Sequence, residues 1–225
     1  MKARIALIAL VCFAALPALA QTQPPASSQS AETPATAPAA VASPPPAAPK
    51  PATVLVTLTT TEGPIVLELE KERAPITTAN FLRYIDQKRF DGISFYRAAK
   101  MADDYGLVQA GLRNDPRKMF PPIVLEPTTK TGLSHVSGTI SMARNAPNTA
   151  SADFFIIVGD MPSLDAHPDQ PGDNLGFAAF GHVVQGMDIV RHMLEEPKSA
   201  TLGEGVMKGQ MLEAPVRIVS ARRGG

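Results

Sequence analysis

Val54-Leu55-Val56-Thr57-Leu58-Thr59-Thr60-Thr61-Glu62-Gly63-Pro64-Ile65-Val66-Leu67-Glu68-Leu69-Glu70 is the stretch that decides the fold class. Val54, Val56 and Leu58 fall on every second position, and Ile65, Leu67 and Leu69 alternate with Val66, Glu68 and Glu70. A period of two is that of a strand with one buried face. Thr60-Thr61-Glu62-Gly63-Pro64 between the runs has turn chemistry, so the whole stretch reads as a β-hairpin.

Toward the C-terminus, Pro75 to Arg89 reads as a helix. Pro75 suits a first turn, Phe81, Leu82 and Ile85 share one face, and Asp91-Gly92 ends the element. Short strand candidates follow at Ile93–Ala98, Leu107–Ala110, Thr139–Ala143, Phe154–Val158, Ala178–Val184 and Val216–Ala221. A second helix fits Met187–Glu195, with Val190, Met193 and Leu194 on one stripe and Pro197 beyond its end. Two helices among about eight short strands predict a mainly β domain over 53–225, built as a closed or nearly closed antiparallel barrel. Closure removes exposed sheet edges. No repeat of fixed period is present.

Toward the N-terminus the texture changes twice. Residues 21–52 are Pro, Ala, Ser, Thr and Gln with almost no large apolar side chain, so they cannot offset chain entropy by burial. They read as a disordered, semi-stiff spacer of polyproline character. Residues 1–20 have a basic start at Lys2 and Arg4, an apolar run from Ile5 to Leu16, and Ala18-Leu19-Ala20 as a small-x-small site. This is a secretory signal peptide pattern, too short to span a bilayer and interrupted by Pro17. Cleavage after Ala20 removes Lys2, Arg4 and Cys12. The expected mature chain is periplasmic or secreted, slightly acidic, free of cysteine, and not inserted in a membrane.

Of 225 residues, Lys+Arg number 21 and Asp+Glu 21, which argues against a nucleic-acid binder. A single Cys excludes an intramolecular disulfide and a multi-Cys zinc site. Gly132-Leu133-Ser134-His135-Val136 fails the G-x-S-x-G pattern at its last position, and Ser134 and His135, as strand neighbours, would face opposite ways. The histidines at 135, 167, 182 and 192 show no H-E-x-x-H spacing. Asp160, Asp165, Asp169 and Asp173 lack EF-hand spacing and read as a solvated acidic loop. No metal or cofactor is expected.

A scattered set of short motifs remains: Phe95-Tyr96-Arg97, Leu107-Val108-Gln109-Ala110-Gly111, Gly138-Thr139-Ile140-Ser141-Met142-Ala143-Arg144, Asp153-Phe154-Phe155-Ile156, Ser163-Leu164-Asp165 and Gly176-Phe177-Ala178-Ala179-Phe180-Gly181. In a strand Phe154 and Phe155 must point to opposite faces. One enters the barrel. The other is either covered by a helix or lines an apolar groove. Taken alone, Arg97 would be read as a solvated surface residue.

In the order and spacing of these motifs the sequence resembles the cyclophilin family of peptidyl-prolyl isomerases. The likeness includes Thr60-x-x-Gly63-x-Ile65, Ala74-Pro75, Asn80-Phe81 and Gly186-Met187. It implies an eight-stranded closed antiparallel β-barrel capped by two α-helices, with a substrate groove on the outer face. It implies Arg97 as the catalytic arginine and Gln109 as its glutamine partner. Substrate contacts are implied for Leu107, Ala143, Arg144, Asp153, Phe155, Leu164 and Phe177. The implied partners are proline-containing polypeptides, acted on by a monomer.

Three departures stand out. Gly106 falls where the family carries a pocket Phe, so either Tyr105 or Met101 folds back to replace it or one pocket wall is missing. Ser163 stands where many members have Trp or Phe. The loop from Asp165 to Phe177 is longer than in compact members. Two functions therefore stand open: an isomerase for exported proteins, favoured by Arg97, Gln109 and Phe155, and a non-catalytic peptide-binding or chaperone module, favoured by Gly106. Accelerated cis–trans exchange of an X-Pro peptide selects the first, and binding without acceleration the second.

Overall fold

The computed structural model describes residues 50–113 and 115–224. The signal-peptide reading at 1–20 and the spacer reading, apart from residues 50–52, lie outside the described residues. Eight strands form a closed antiparallel barrel: β1 (Val54–Thr60), β2 (Gly63–Leu69), β3 (Ser94–Ala102), β4 (Tyr105–Gly111), β5 (Thr139–Met142), β6 (Phe154–Val158), β7 (Ala178–Gln185) and β8 (Met211–Arg223). Their order around the barrel is β1-β2-β7-β5-β6-β4-β3-β8.

The opening hairpin pairs Thr60 with Gly63 across a two-residue turn. Thr60 Oγ1 locks that turn, donating to the Gly63 carbonyl (2.7 Å) and accepting from the Glu62 amide (3.1 Å). Val56, Leu58, Ile65, Leu67 and Leu69 all face the sealed interior, as the period-two pattern requires.

Helix α1 (Pro75–Asp86) closes one mouth of the barrel with Phe81. That ring meets Phe154 edge-on at 5.1 Å and also touches Phe90 and Phe180. Its N-terminus has no side-chain cap of its own. The carboxylate of the buried Glu126 supplies one from a distant loop, accepting from the amides of Ile76 (3.2 Å) and Thr77 (2.7 Å). The helix stops at Asp86 rather than Arg89, because Lys88 turns to positive φ and the amides of Lys88 and Arg89 fold back onto the carbonyls of Ile85 and Tyr84. Helix α3 (Met187–Glu195) closes the other mouth with Val190, Met193 and Leu194. A third, one-turn helix, α2 (Thr128–Thr131), adds to the two expected. It ends on Gly132 at φ 67, and four residues are too few for a periodic signal.

β3 and β8 outrun their expected lengths. Beyond Ala98, β3 is held by ladder pairing to β4 through Lys100 and Ala102, where no apolar alternation exists to be read. The register of β3 against both neighbours shifts between Phe95 and Arg97, a β-bulge. Phe95 and Ala98 therefore both face the interior, and Tyr96 and Arg97 are both turned outward, which no strict alternation allows.

Candidate active site

The outward faces of β4 and β6 carry a second apolar cluster, separate from the barrel core. It consists of Ala99, Leu107, Phe155, Ile157 and Met161, with Tyr105, Ala143, Leu164 and Phe177 packed on it. Phe154 belongs to the interior and Phe155 to this outer cluster. The groove alternative for the second Phe is the one observed. Phe155 meets Phe177 edge-on at 5.5 Å, and the ring of His135 lies nearly parallel to it at 6.3 Å.

Beside this cluster opens a cavity of about 700 Å³, lined by Leu107, Ala143, Phe155, Leu164 and Phe177 on its apolar side. That volume suits a ligand of several residues. Arg97, Gln109, Arg144 and Asp153 line the same cavity, so all nine residues singled out from sequence meet in one groove. The loop that carries Leu164 and Phe177 is tied together by the Phe177 amide donating to the Leu164 carbonyl (3.0 Å). Arg144 anchors that loop. Its Nε donates to the Gly176 carbonyl (2.8 Å), and its two terminal nitrogens grip Asp173 at 2.6 and 3.0 Å. Gly176 is obligatory there: at φ +64, a Cβ would sit 2.6 Å from the Leu164 carbonyl oxygen. The Ala143 amide is already used, donating to the Asp153 carbonyl (2.8 Å).

The polar side is one hydrogen-bonded chain. Tyr96 OH donates to Asp153 Oδ1 (2.8 Å) and accepts from Gln109 Nε2 (2.7 Å). Gln109 Oε1 accepts from Arg97 Nη1 (2.7 Å). On the far side, Gln210 Oε1 accepts from Arg97 Nε (2.9 Å) and Nη2 (2.6 Å). Both acceptors on the guanidinium are thus neutral amide oxygens. Burial lowers the pKa of Arg97, partly opposed by Tyr96, yet a guanidinium stays protonated throughout the physiological range. Burial and the Asp153 carboxylate push the Tyr96 phenol up, so it stays a neutral donor.

Three sequence readings are corrected. Ser134 and His135 are not strand neighbours facing opposite ways: both lie outside any strand, and their side chains bind the same Asp165 carboxylate. Gly106 is not a groove position. It lies on the inner side of β4, where a Cβ would stand 2.3 Å from the Ala99 carbonyl oxygen and 2.8 Å from Leu194 Cδ1. No pocket Phe could occupy that place in this chain. Tyr105 packs on the outer cluster, whereas Met101 is 62% exposed and replaces nothing. The acidic loop is likewise not a uniformly solvated run. Asp160 accepts from the Ser137 amide (2.8 Å), Asp173 pairs with Arg144, and Asp165 binds Ser134 and His135.

The last of these forms a buried line behind the pocket floor. Asp165 Oδ1 lies 2.5 Å from His135 Nδ1, and His135 Nε2 lies 3.0 Å from Ser141 Oγ. Burial lowers the His135 pKa against the opposing pull of Asp165. The ring is therefore neutral, with Nδ1–H donating to Asp165 and Nε2 accepting from Ser141. Ser141 is wholly buried, so this triad is no nucleophile. The hydrogen-bonding role of Tyr96, quoted only within its motif, the contact of Gln210 with Arg97, and Leu202, Gly203, Glu204, Val206 and Met207, which border the cavity beyond Arg97, carried no sequence signal. The first depends on the bulge, and the others on a connection with no periodicity.

A closed barrel with two capped mouths and an outer groove pairing an arginine with an apolar floor defines a class. Residues 55–223 match the family described as cyclophilin type peptidyl-prolyl cis-trans isomerase/CLD, and the chain belongs to that family. It is a peptidyl-prolyl cis-trans isomerase. Peptidyl-prolyl cis-trans isomerase cyp18 of Streptomyces antibioticus is 35% identical over 136 residues, covering 60% of this chain and 80% of that protein. A peptidyl-prolyl cis-trans isomerase of Acinetobacter baylyi is 30% identical over 172 residues, covering 76% and 86%. A crystal structure of a Cryptosporidium parvum cyclophilin type isomerase, determined in the presence of the dipeptide Ala-Pro, shares the fold. Its TM-score is 0.59 at 19% identity, over 76% of this chain and 99% of that one.

Proposed function

We propose that the groove turns X-Pro bonds of exported polypeptides, with Arg97 as the group that lowers the barrier. Rotation about an amide faces about 18–20 kcal/mol because of C–N double-bond character. A rate gain of about 10⁵-fold asks for roughly 7 kcal/mol. No bond breaks, so neither nucleophile nor metal nor cofactor is required. As the bond twists, resonance is lost and the prolyl nitrogen becomes a better acceptor. A fixed guanidinium donates to it more strongly in the twisted state than in the planar one, which is what acceleration requires.

The observation that carries this reading is the state of Arg97: charged, outward, beside an apolar floor, and held among the described residues by neutral amide oxygens. Phe155, Leu107, Leu164 and Phe177 grip the prolyl ring. Gln109 holds Arg97, and the segment Ala143–Arg144 that follows β5 receives the residue before proline, with Asp153 and Tyr96 fixing Gln109 from behind. Arg97→Ala is expected to keep the fold and to cut kcat/KM for an X-Pro peptide at least about tenfold, equivalent to about 1.4 kcal/mol. Exchange spectroscopy on such a peptide measures this, and an undiminished rate in the variant removes Arg97 from the mechanism.

The exported setting rests on residues 1–20 alone. N-terminal sequencing of the protein from its native host tests it. A chain beginning at Gln21 outside the cytoplasm supports it, and a soluble cytoplasmic chain still carrying Met1 ends it. A single mass corresponding to one chain in light scattering is expected from the monomer reading.

A further inference from the structure

We propose that Gln210 is the positioning residue that aims Arg97, and that a neutral acceptor is needed at that place. The inference rests on the role given to Arg97 above. A guanidinium has five N–H donors. Gln210 Oε1 takes the one on Nε and one on Nη2, and Gln109 Oε1 takes one on Nη1. Two remain without a partner among the described residues, one on each terminal nitrogen, in a residue that lines the cavity. With the inner edge of the fork fixed on Gln210 and one side on Gln109, the direction of those two donors is set before any ligand arrives.

Gln210 is itself held by backbone. Its carbonyl accepts from the Ala98 amide (2.9 Å), one residue beyond Arg97, and its amide donates to the Met207 carbonyl (3.0 Å). The next residue, Met211, pairs directly with Arg97 in the β3–β8 register. The segment before it folds back on itself. Gly203 takes φ +92 where a Cβ would stand 2.4 Å from the Met207 carbonyl oxygen, and the Gly209 amide returns to the Leu202 carbonyl (3.4 Å). Gln210 thus reaches Arg97 from a backbone-bonded base that the β-bulge in β3 brings alongside.

The acceptor's chemistry matters as much as its place. A carboxylate there would accept the same two bonds as an ion pair and draw the positive charge toward itself. The amide oxygen orients the guanidinium and leaves its charge for the prolyl nitrogen.

The test compares the full chain with its Gln210→Ala and Gln210→Glu variants on one X-Pro peptide, reading kcat and KM separately by NMR exchange. Gln210→Ala is expected to lower kcat about tenfold with KM changed less than twofold, because the apolar floor is intact. Gln210→Glu is expected to lower kcat at least as far, although it can accept both bonds. A kcat within twofold of the parent in Gln210→Ala, or a parallel loss of peptide affinity, overturns the positioning role. Full activity in Gln210→Glu overturns the requirement for a neutral acceptor. The Arg97 Nε–H resonance reads the clamp independently of turnover. It is expected to exchange slowly in the parent and fast in Gln210→Ala, and an unchanged resonance refutes the clamp even if Arg97 proves to have no part in catalysis.

Discussion

Phe154 and Phe155 are neighbours on β6 and belong to different chemistries. Phe154 stands in the sealed interior, against Phe81, Phe90 and Phe95 at 5.1, 5.6 and 6.0 Å. Phe155 stands on the outer face, almost as buried at 4% exposure, yet at the edge of an open cavity and backed by an imidazole. Equal burial therefore hides unequal roles. The interior ring is enclosed by protein on every side, so its removal is a stability event. The outer ring meets protein on one side and the groove on the other, so its removal is mostly a binding event. Exposure alone would not have separated them, whereas strand parity does.

The largest expected effect breaks the comparison on its inner side. Phe154→Ala should cost about 3–5 kcal/mol of unfolding free energy, from lost transfer energy and the cavity left among aromatic rings. Urea denaturation measures it. A loss below about 1 kcal/mol would mean the interior collapses around the gap and is no rigid scaffold for the groove.

Phe155→Ala should invert the balance. Its stability loss should be the smaller of the two, while KM for an X-Pro peptide should rise about tenfold, near 1.4 kcal/mol. If both alanine variants lose stability equally and KM is unmoved, the outer cluster is a satellite core and not a ring-binding floor.

Gly106→Ala probes the same strand parity on β4 and should cost about 1–3 kcal/mol of stability by overpacking toward Ala99 and Leu194. Peptide affinity should hold, since the side chain points away from the groove. A gain in affinity with no loss of stability would return Gly106 to the groove wall.

These substitutions also mark what was legible in the sequence. The hairpin at 54–70 and α3 could be read because one face of each is buried, and burial writes a period, whereas β6, buried on both faces, could be read as a short continuous apolar run. The lengths of β3 and β8, the helix at Thr128–Thr131, and Gln210 could not, because ladder pairing and loop contacts leave no period. The motif resemblance located Arg97, but its outward direction beside Tyr96 follows from a one-residue bulge, an event between strands. The misreading of Gly106 has the same origin: motif alignment gives order along the chain, and sidedness needs the register.

The smallest effect concerns what stands behind the outer ring. His135 is buried and neutral, with its pKa held below the ordinary imidazole value by burial against the pull of Asp165. The unfolded chain therefore binds a proton near pH 6.5 that the folded chain refuses, and stability must fall as pH drops through that window toward the lowered folded value. Asp165 acts lower on the scale. Burial raises its pKa, but hydrogen bonds from Ser134 and His135 outweigh this and leave it depressed. Its contribution is complete above about pH 3.9 and is lost as pH falls through the folded value. Acid should thus weaken the protein in two steps, and His135→Gln should abolish the upper one, so that only the parent loses stability as pH falls below the ordinary imidazole value. Urea midpoints of both proteins across that range decide it. A parent whose midpoint is flat from pH 7.5 to 5 would show that burial of the imidazole carries no proton-linked cost.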